Sequence, residues 1–211
     1  MTCEYSGIFK YLYDWQSLIA GLIALIAAYV AARPVWRQLM LSARDTLIGR
    51  VAAIESKQVT TRELMTNVIN AFMSQLRPYG KGQEPVPHPE WALAAQSTVG
   101  QVVTTLTANQ ESSLDGELID NKRKAAISAW KALLGCLYDI HAPDTVDFGG
   151  PDAPTEQEQP AFEERGRRAA KELKNRISAA TEAAHELDAA FLAVLKQLRQ
   201  RIKTIDRQVG A

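Results

Sequence analysis

Residues 15–32 read WQSLIAGLIALIAAYVAA, eighteen positions without a charged side chain. At about 1.5 Å of rise per residue, a helix of that length covers roughly 27 Å, close to a hydrocarbon thickness of about 30 Å. Leu18, Ile19, Leu22, Ile23, Leu25, Ile26 and Val30 are strongly apolar. Together they favour insertion by about 2–4 kcal/mol, and no charge in the run opposes them. Tyr11, Tyr13 and Trp15 stand at one end, Tyr29 and Trp36 at the other. Those are the depths at which aromatic rings meet lipid headgroups. The stretch predicts a transmembrane helix.

Arg33, Arg37, Arg44 and Arg50 follow the run against one acid, Asp45, whereas Glu4, Lys10 and Asp14 precede it. An arginine excess is retained in the cytoplasm. The expectation is a single-pass protein of a bacterial inner membrane. Residues 1–14 form a short outer tail and the chain after residue 32 is cytoplasmic. Two readings compete. In a cleaved signal peptide, Val30 and Ala32 would take positions −3 and −1 before Arg33; the leader has no basic n-region, and the run is long for an h-region. A buried core helix would ordinarily be shorter. Ala20, Ala24, Ala27, Ala28 and Ala31, with Gly21 beside them, line one broad face. Small residues four apart let helices approach closely in lipid, although alanine is also a neutral filler.

Beyond the anchor the chain carries a formal charge of +1, so the basic excess of a nucleic-acid binder is missing. About 179 residues remain, enough for one domain. Cys3 and Cys136 fall on opposite sides of the membrane in this topology and do not form a disulfide framework. Cys136 reads as a small buried apolar residue.

Helical spacing dominates the remainder, and the fold class is all-α: one transmembrane helix continuing into an elongated bundle or coiled coil. Residues 33–77 extend the membrane helix. Met40, Leu47, Val51, Ile54, Met65, Val68 and Phe72 form a seam with alternating three- and four-residue steps. The seam turns polar at Gln58 and Thr61. Thr60 and Glu63 there make a capping-box pair, with Val59 and Leu64 as a staple, so the helix either breaks near 59–60 or runs through. Residues 78–89, rich in proline and glycine, are a loop.

A helical hairpin follows over 90–140. Its first helix shares Trp91, Ala95, Thr98, Val102 and Leu106 on one face, and its Val- and Thr-rich stretch 98–107 has the weakest helix propensity. After the short link QESSLDG, the second helix aligns Ile119, Ala126, Trp130, Leu133, Leu137 and Ile140. Residues 141–155 read as a second loop, and Thr155 with Glu158 caps a long helix over 156–208. Leu173, Ile177, Ala180, Ala184, Leu187, Phe191, Val194, Leu198 and Ile205 carry its seam over several heptads.

Acidic residues gather at 144–164 and basic ones at the other end: Lys196, Arg199, Arg201, Lys203 and Arg207. Both blocks suit the helix dipole. An up-down bundle would also return that basic end to the inner leaflet, where anionic lipid favours it.

The sequence has no P-loop, GxGxxG, GxSxG or HExxH. His88 and His141 sit in proline-containing loops and are expected in solvent. Glu182 and His185 share the Glu-x-x-His spacing of di-iron bundles, but those use it twice, and one copy stands here. Trp91 and Trp130 read as core, with Arg123 and Lys131 directed elsewhere. No cofactor, metal or small-molecule substrate is expected.

The opening WQ-x-LIAG-x-IAL-x-AA, followed by an arginine-bearing helix, resembles a recurrent pattern in uncharacterised bacterial single-pass inner-membrane proteins. The resemblance covers about the first 50 residues and implies no site residues. The expected role is not enzymatic. It is a membrane-anchored scaffold or adaptor, with a second copy or another membrane protein as partner. The alternatives are a signal-transmitting subunit, or a lysis or exclusion factor of a phage or mobile element.

Overall fold

The computed structural model describes residues 5–76, 89–109, 116–145 and 159–210. These form four α-helices and no strand: α1 (Tyr5–Leu76), α2 (Pro89–Ala108), α3 (Glu117–Thr145) and α4 (Gln159–Gly210). The fold is all-α. Cys3, His88, residues 78–88 of the expected loop 78–89, most of the QESSLDG link and the Thr155–Glu158 cap lie outside the described residues, while Pro89 opens α2. The chain divides into two compact units: Met1–Gly49 with Arg199–Ala211, and Arg50–Leu198.

The unit Arg50–Leu198 holds the core. Ile54, Met65, Val68 and Phe72 of α1 are buried, as are Ile119, Ala126, Trp130, Leu133, Leu137 and Ile140 of α3. Leu173, Ile177, Ala180, Ala184, Leu187, Phe191 and Leu198 of α4 complete it. α2 packs on α3. The deepest line of α2 is Ala92, Val99, Val102 and Leu106. Trp91, Ala95 and Thr98 stand half-buried beside it, a rotation of the buried face from the one expected. The Trp91 ring meets Phe72 edge-on, centroids 5.5 Å apart and planes at 73°, a favoured aromatic geometry.

α1 does not break at Thr60. The Thr60 hydroxyl turns back and donates to the Ser56 carbonyl at 3.0 Å, the mid-helix alternative to a cap. The polar stretch of the seam is a cross-helix contact. Buried Gln58 donates from Nε2 to Oδ1 of Asp188 on α4 at 2.8 Å, and Thr61 is buried one turn on. One polar layer in an apolar seam fixes register at some cost in stability.

The threonines of α2 are accommodated in the same way. Thr98, Thr104 and Thr107 donate to Ala94, Gly100 and Val103 carbonyls at 3.2, 2.9 and 2.7 Å. Those bonds satisfy hydroxyls inside a helix whose propensity is poor.

Three expectations about α3 are corrected. The helix continues through Thr145 rather than stopping at 140, so the first part of the expected loop 141–155 is helical. His141 is therefore buried instead of solvated, continuing the apolar line of Ile140 and Leu137. Neither of its ring nitrogens has a partner. Arg123 was expected to point away from the core. It is buried, and its Nη1 donates to Oδ1 of Asp120 at 2.8 Å. Pairing with a carboxylate one turn earlier is what makes a buried guanidinium tolerable.

Gly116 opens α3 with φ of 90°, and its carbonyl accepts from the Asp120 amide at 3.1 Å. A side chain at that φ costs of order 1 kcal/mol.

Replacing Leu137, wholly buried, with alanine is expected to destabilise the helical unit by about 2–5 kcal/mol. Replacing its exposed neighbour Tyr138 with alanine should shift stability by no more than about 0.5 kcal/mol. Urea unfolding of the detergent-solubilised chain, followed by circular dichroism, reads both.

Candidate membrane-facing segment

The unit formed by Met1–Gly49 and Arg199–Ala211 has a different character from the core. Every residue from Leu18 to Leu39 is exposed. A window of 18 residues in α1 reaches a mean hydropathy of 2.0 with none of it buried. Trp15, Tyr29 and Trp36 are 64%, 71% and 67% exposed, so the rings expected at an interface are open to whatever surrounds the helix. Arg33 and Arg37 are exposed beyond the apolar run. Ala20, Ala24, Ala27, Ala28 and Ala31 lie open on the same helix, and no atom stands within 4 Å of where a Gly21 Cβ would be.

Pro34 lies inside α1. Lacking an amide hydrogen, it leaves the carbonyl of Val30 without its usual helical donor. The sequence reading overlooked this feature. Its place beside Arg33 puts the freed carbonyl where the apolar run gives way to charge.

Coverage of α1 begins at Met40. Met40, Arg44 and Leu47 are half-buried at helical spacing, and so are Ile202, Ile205 and Val209 on α4. Arg44 donates from Nε to Oδ1 of Asp206 at 2.5 Å and also approaches Asp45 at 3.6 Å. The two helices run antiparallel here. α4 ends at Gly210 beside the point where α1 becomes fully exposed; a parallel α4 would have covered residues 18–39 instead. Of the expected basic end, Arg199, Arg201, Lys203 and Arg207 are exposed in this unit, whereas Lys196, also exposed, belongs to the other.

Chemistry elsewhere is sparse. Glu182 and His185 are exposed on α4, and among the described residues no group of three or more His, Cys, Asp or Glu side chains is arranged to hold a metal ion. An open groove of about 310 Å³ lies between α3 and α4, lined by small residues and charges that include Gly135, Cys136, Asp139, Glu172 and Arg176. Arg176 is engaged by Glu172 at 2.7 Å. Cys136 donates from Sγ to the Ala169 carbonyl at 3.2 Å, and burial pushes its thiol up to about 11. Such a thiol is a packing group rather than a nucleophile.

No family model, curated protein or solved structure matches this chain.

The raised Cys136 value has a sign that can be checked. The folded state holds the thiol proton more tightly than the unfolded chain, whose ordinary value is 9.0. Stability should be intact below that value and fall as pH rises from about 9 to about 11. Cys136→Ala should remove that part of the alkaline loss in urea titrations across the range.

Proposed function

We propose that the protein is a membrane-anchored helical scaffold, held in a bacterial inner membrane by one pass of α1 and acting through protein–protein contacts on the cytoplasmic side. One observation carries the reading: the apolar residues of α1 from Leu18 to Leu39 are uncovered, while the unit Arg50–Leu198 has a core of its own. A continuous apolar surface of this extent is far larger than the patches that soluble monomers leave open. A core helix would be covered by its own chain, so lipid is the surround that suits it. The arginines at 33, 37 and 44 favour the cytoplasmic side for the chain that follows. A scaffold, rather than a catalyst, suits long apolar seams in which Gln58 pairs with Asp188 and Arg123 with Asp120.

A signal-transmitting subunit is the second reading. The favouring observation is that α1 is one uninterrupted helix from Tyr5 to Leu76, carrying both the apolar run and a share of the core.

Anchoring is tested by alkaline carbonate extraction of membranes. The native chain is expected in the pellet. Leu22→Arg with Ile26→Arg costs about 5–7 kcal/mol, more than the roughly 2–4 kcal/mol that the apolar residues supply, and should move the chain to the supernatant. Native chain in the supernatant would refute the anchor. Orientation needs an exposed reporter, since Cys136 is buried. Ser128→Cys in a background with both Cys3→Ser and Cys136→Ser should resist a membrane-impermeant maleimide in intact cells and react after permeabilisation. Labelling in intact cells would place the helical unit outside.

A further inference from the structure

The two helices of the smaller unit bring basic groups from distant parts of the sequence to the same end of the apolar run. We infer that Arg33 and Arg37 of α1 and Arg207 of α4 form a collar that recognises anionic phospholipid headgroups, and that the rest of the basic end, Arg199 to Lys203, stands outside it. This inference rests on the anchoring reading above.

Register decides membership. Arg44 lies opposite Asp206, and the helices are antiparallel. Arg207 is therefore level with residue 43, about six residues or 9 Å along α1 from Arg37. Lys203 is level with residue 47, about 15 Å from Arg37, and Arg201 and Arg199 are farther still. Headgroups extend about 5–7 Å beyond the hydrocarbon on each side, which takes them from Arg33 to about Arg37. The Debye length is about 8 Å at physiological salt. Arg207 is within about one such length of the headgroup layer, and Lys203 is near two.

Local charge supports an anionic occupant. Arg44 lies between the carboxylates of Asp206 and Asp45 and offsets one of their two negative charges, so Arg33, Arg37 and Arg207 still leave the collar net positive. The carbonyl end of α4 carries about half a negative charge, and the full charge of Arg207 in its last turn exceeds it. Arg33 and Arg37 are exposed, as is Trp36 between them, an aromatic suited to the same layer. Two helices thus present positive charge beyond the end of the apolar surface, Arg33 and Arg37 nearest to it and Arg207 about 9 Å farther on. A bilayer with anionic headgroups is the surface whose charge complements that ring and whose interior complements the helix beside it.

The test uses the full chain in nanodiscs of phosphatidylcholine alone or mixed with phosphatidylglycerol, with hydrogen exchange followed at residues 205–210. Exchange there should be about two- to fivefold slower in the anionic discs, and high salt should abolish the difference. Arg207→Gln should remove most of it, as should Arg33→Gln with Arg37→Gln. Arg199→Gln with Arg201→Gln should leave it intact. The ratio between the two lipids is the readout, so a variant that frays equally in both remains informative. Equal exchange of the native chain in both lipids would overturn the collar, as would an effect that follows Arg199 and Arg201 instead of Arg207. A chain that does not enter the discs at all would instead overturn the anchoring reading, and the collar with it.

Discussion

The exposed apolar side chains between Leu18 and Leu39 set the condition for the rest of the molecule. Water is a poor surround for them, and none of the other described residues covers them. Either lipid or another protein must do so. Placing them in lipid makes the surrounding features consistent. Aromatics stand near both ends of the run. Arginine begins where apolar character ends. Pro34 leaves the Val30 carbonyl free at the charged boundary, where water or headgroups can satisfy it.

The larger unit solves a different problem, which is to hold helices of modest intrinsic quality in one register. α4 supplies alanine at Ala169, Ala180, Ala184 and Ala190 within its buried line. Alanine buries little area and permits close approach, so specificity has to come from elsewhere. Large side chains at Phe72, Trp130 and Phe191 fill the space between the small ones. The Gln58–Asp188 bond marks one position along the α1–α4 seam. A slip of either helix would leave a part-buried amide and carboxylate without each other, a penalty of about 1–3 kcal/mol.

Much of this was legible from spacing. The α3 and α4 seams follow from three- and four-residue steps because their buried positions, Arg123 and His141 apart, are apolar and recur with the helix period. Other features turn on contacts that local signals do not show. Spacing left open whether α1 breaks near Thr60; the helix continues, the hydroxyl finds an acceptor at Ser56, and Asp188 satisfies Gln58. The proline at 143 suggested a loop from 141, yet α3 runs on to Thr145, and His141 is drawn inside by the line it shares with Leu137. Arg123 stands seven residues before Trp130 and so shares its face, which the expected direction missed, and pairing with Asp120 accommodates it there. The candidate interface was legible as composition. The level of its basic groups was not, since that depends on Arg44 finding Asp206 across 162 residues of sequence.

That pairing also bears on how the two functional readings relate. A scaffold needs a fixed platform, whereas a transmitter needs an element with two arrangements whose balance both ends can bias. α1 carries half-buried residues at Met40, Arg44 and Leu47 in one unit and buried ones from Ile54 onward in the other. After Ile54 its seam turns polar, with buried Gln58 and Thr61 standing before Met65. Arg44–Asp206 is an exposed pair, and such pairs contribute about 0–1 kcal/mol. A contact that weak does not lock a helix by itself. It fixes the level of the basic end only together with Ile202, Ile205 and Val209, whose half-burial adds apolar area to the same seam. The apolar contribution and the ion pair therefore hold the end of α4 jointly. Charge at the collar would add to them only in a membrane that carries anionic lipid. The firmness of this end would then depend on the bilayer as well as on the chain.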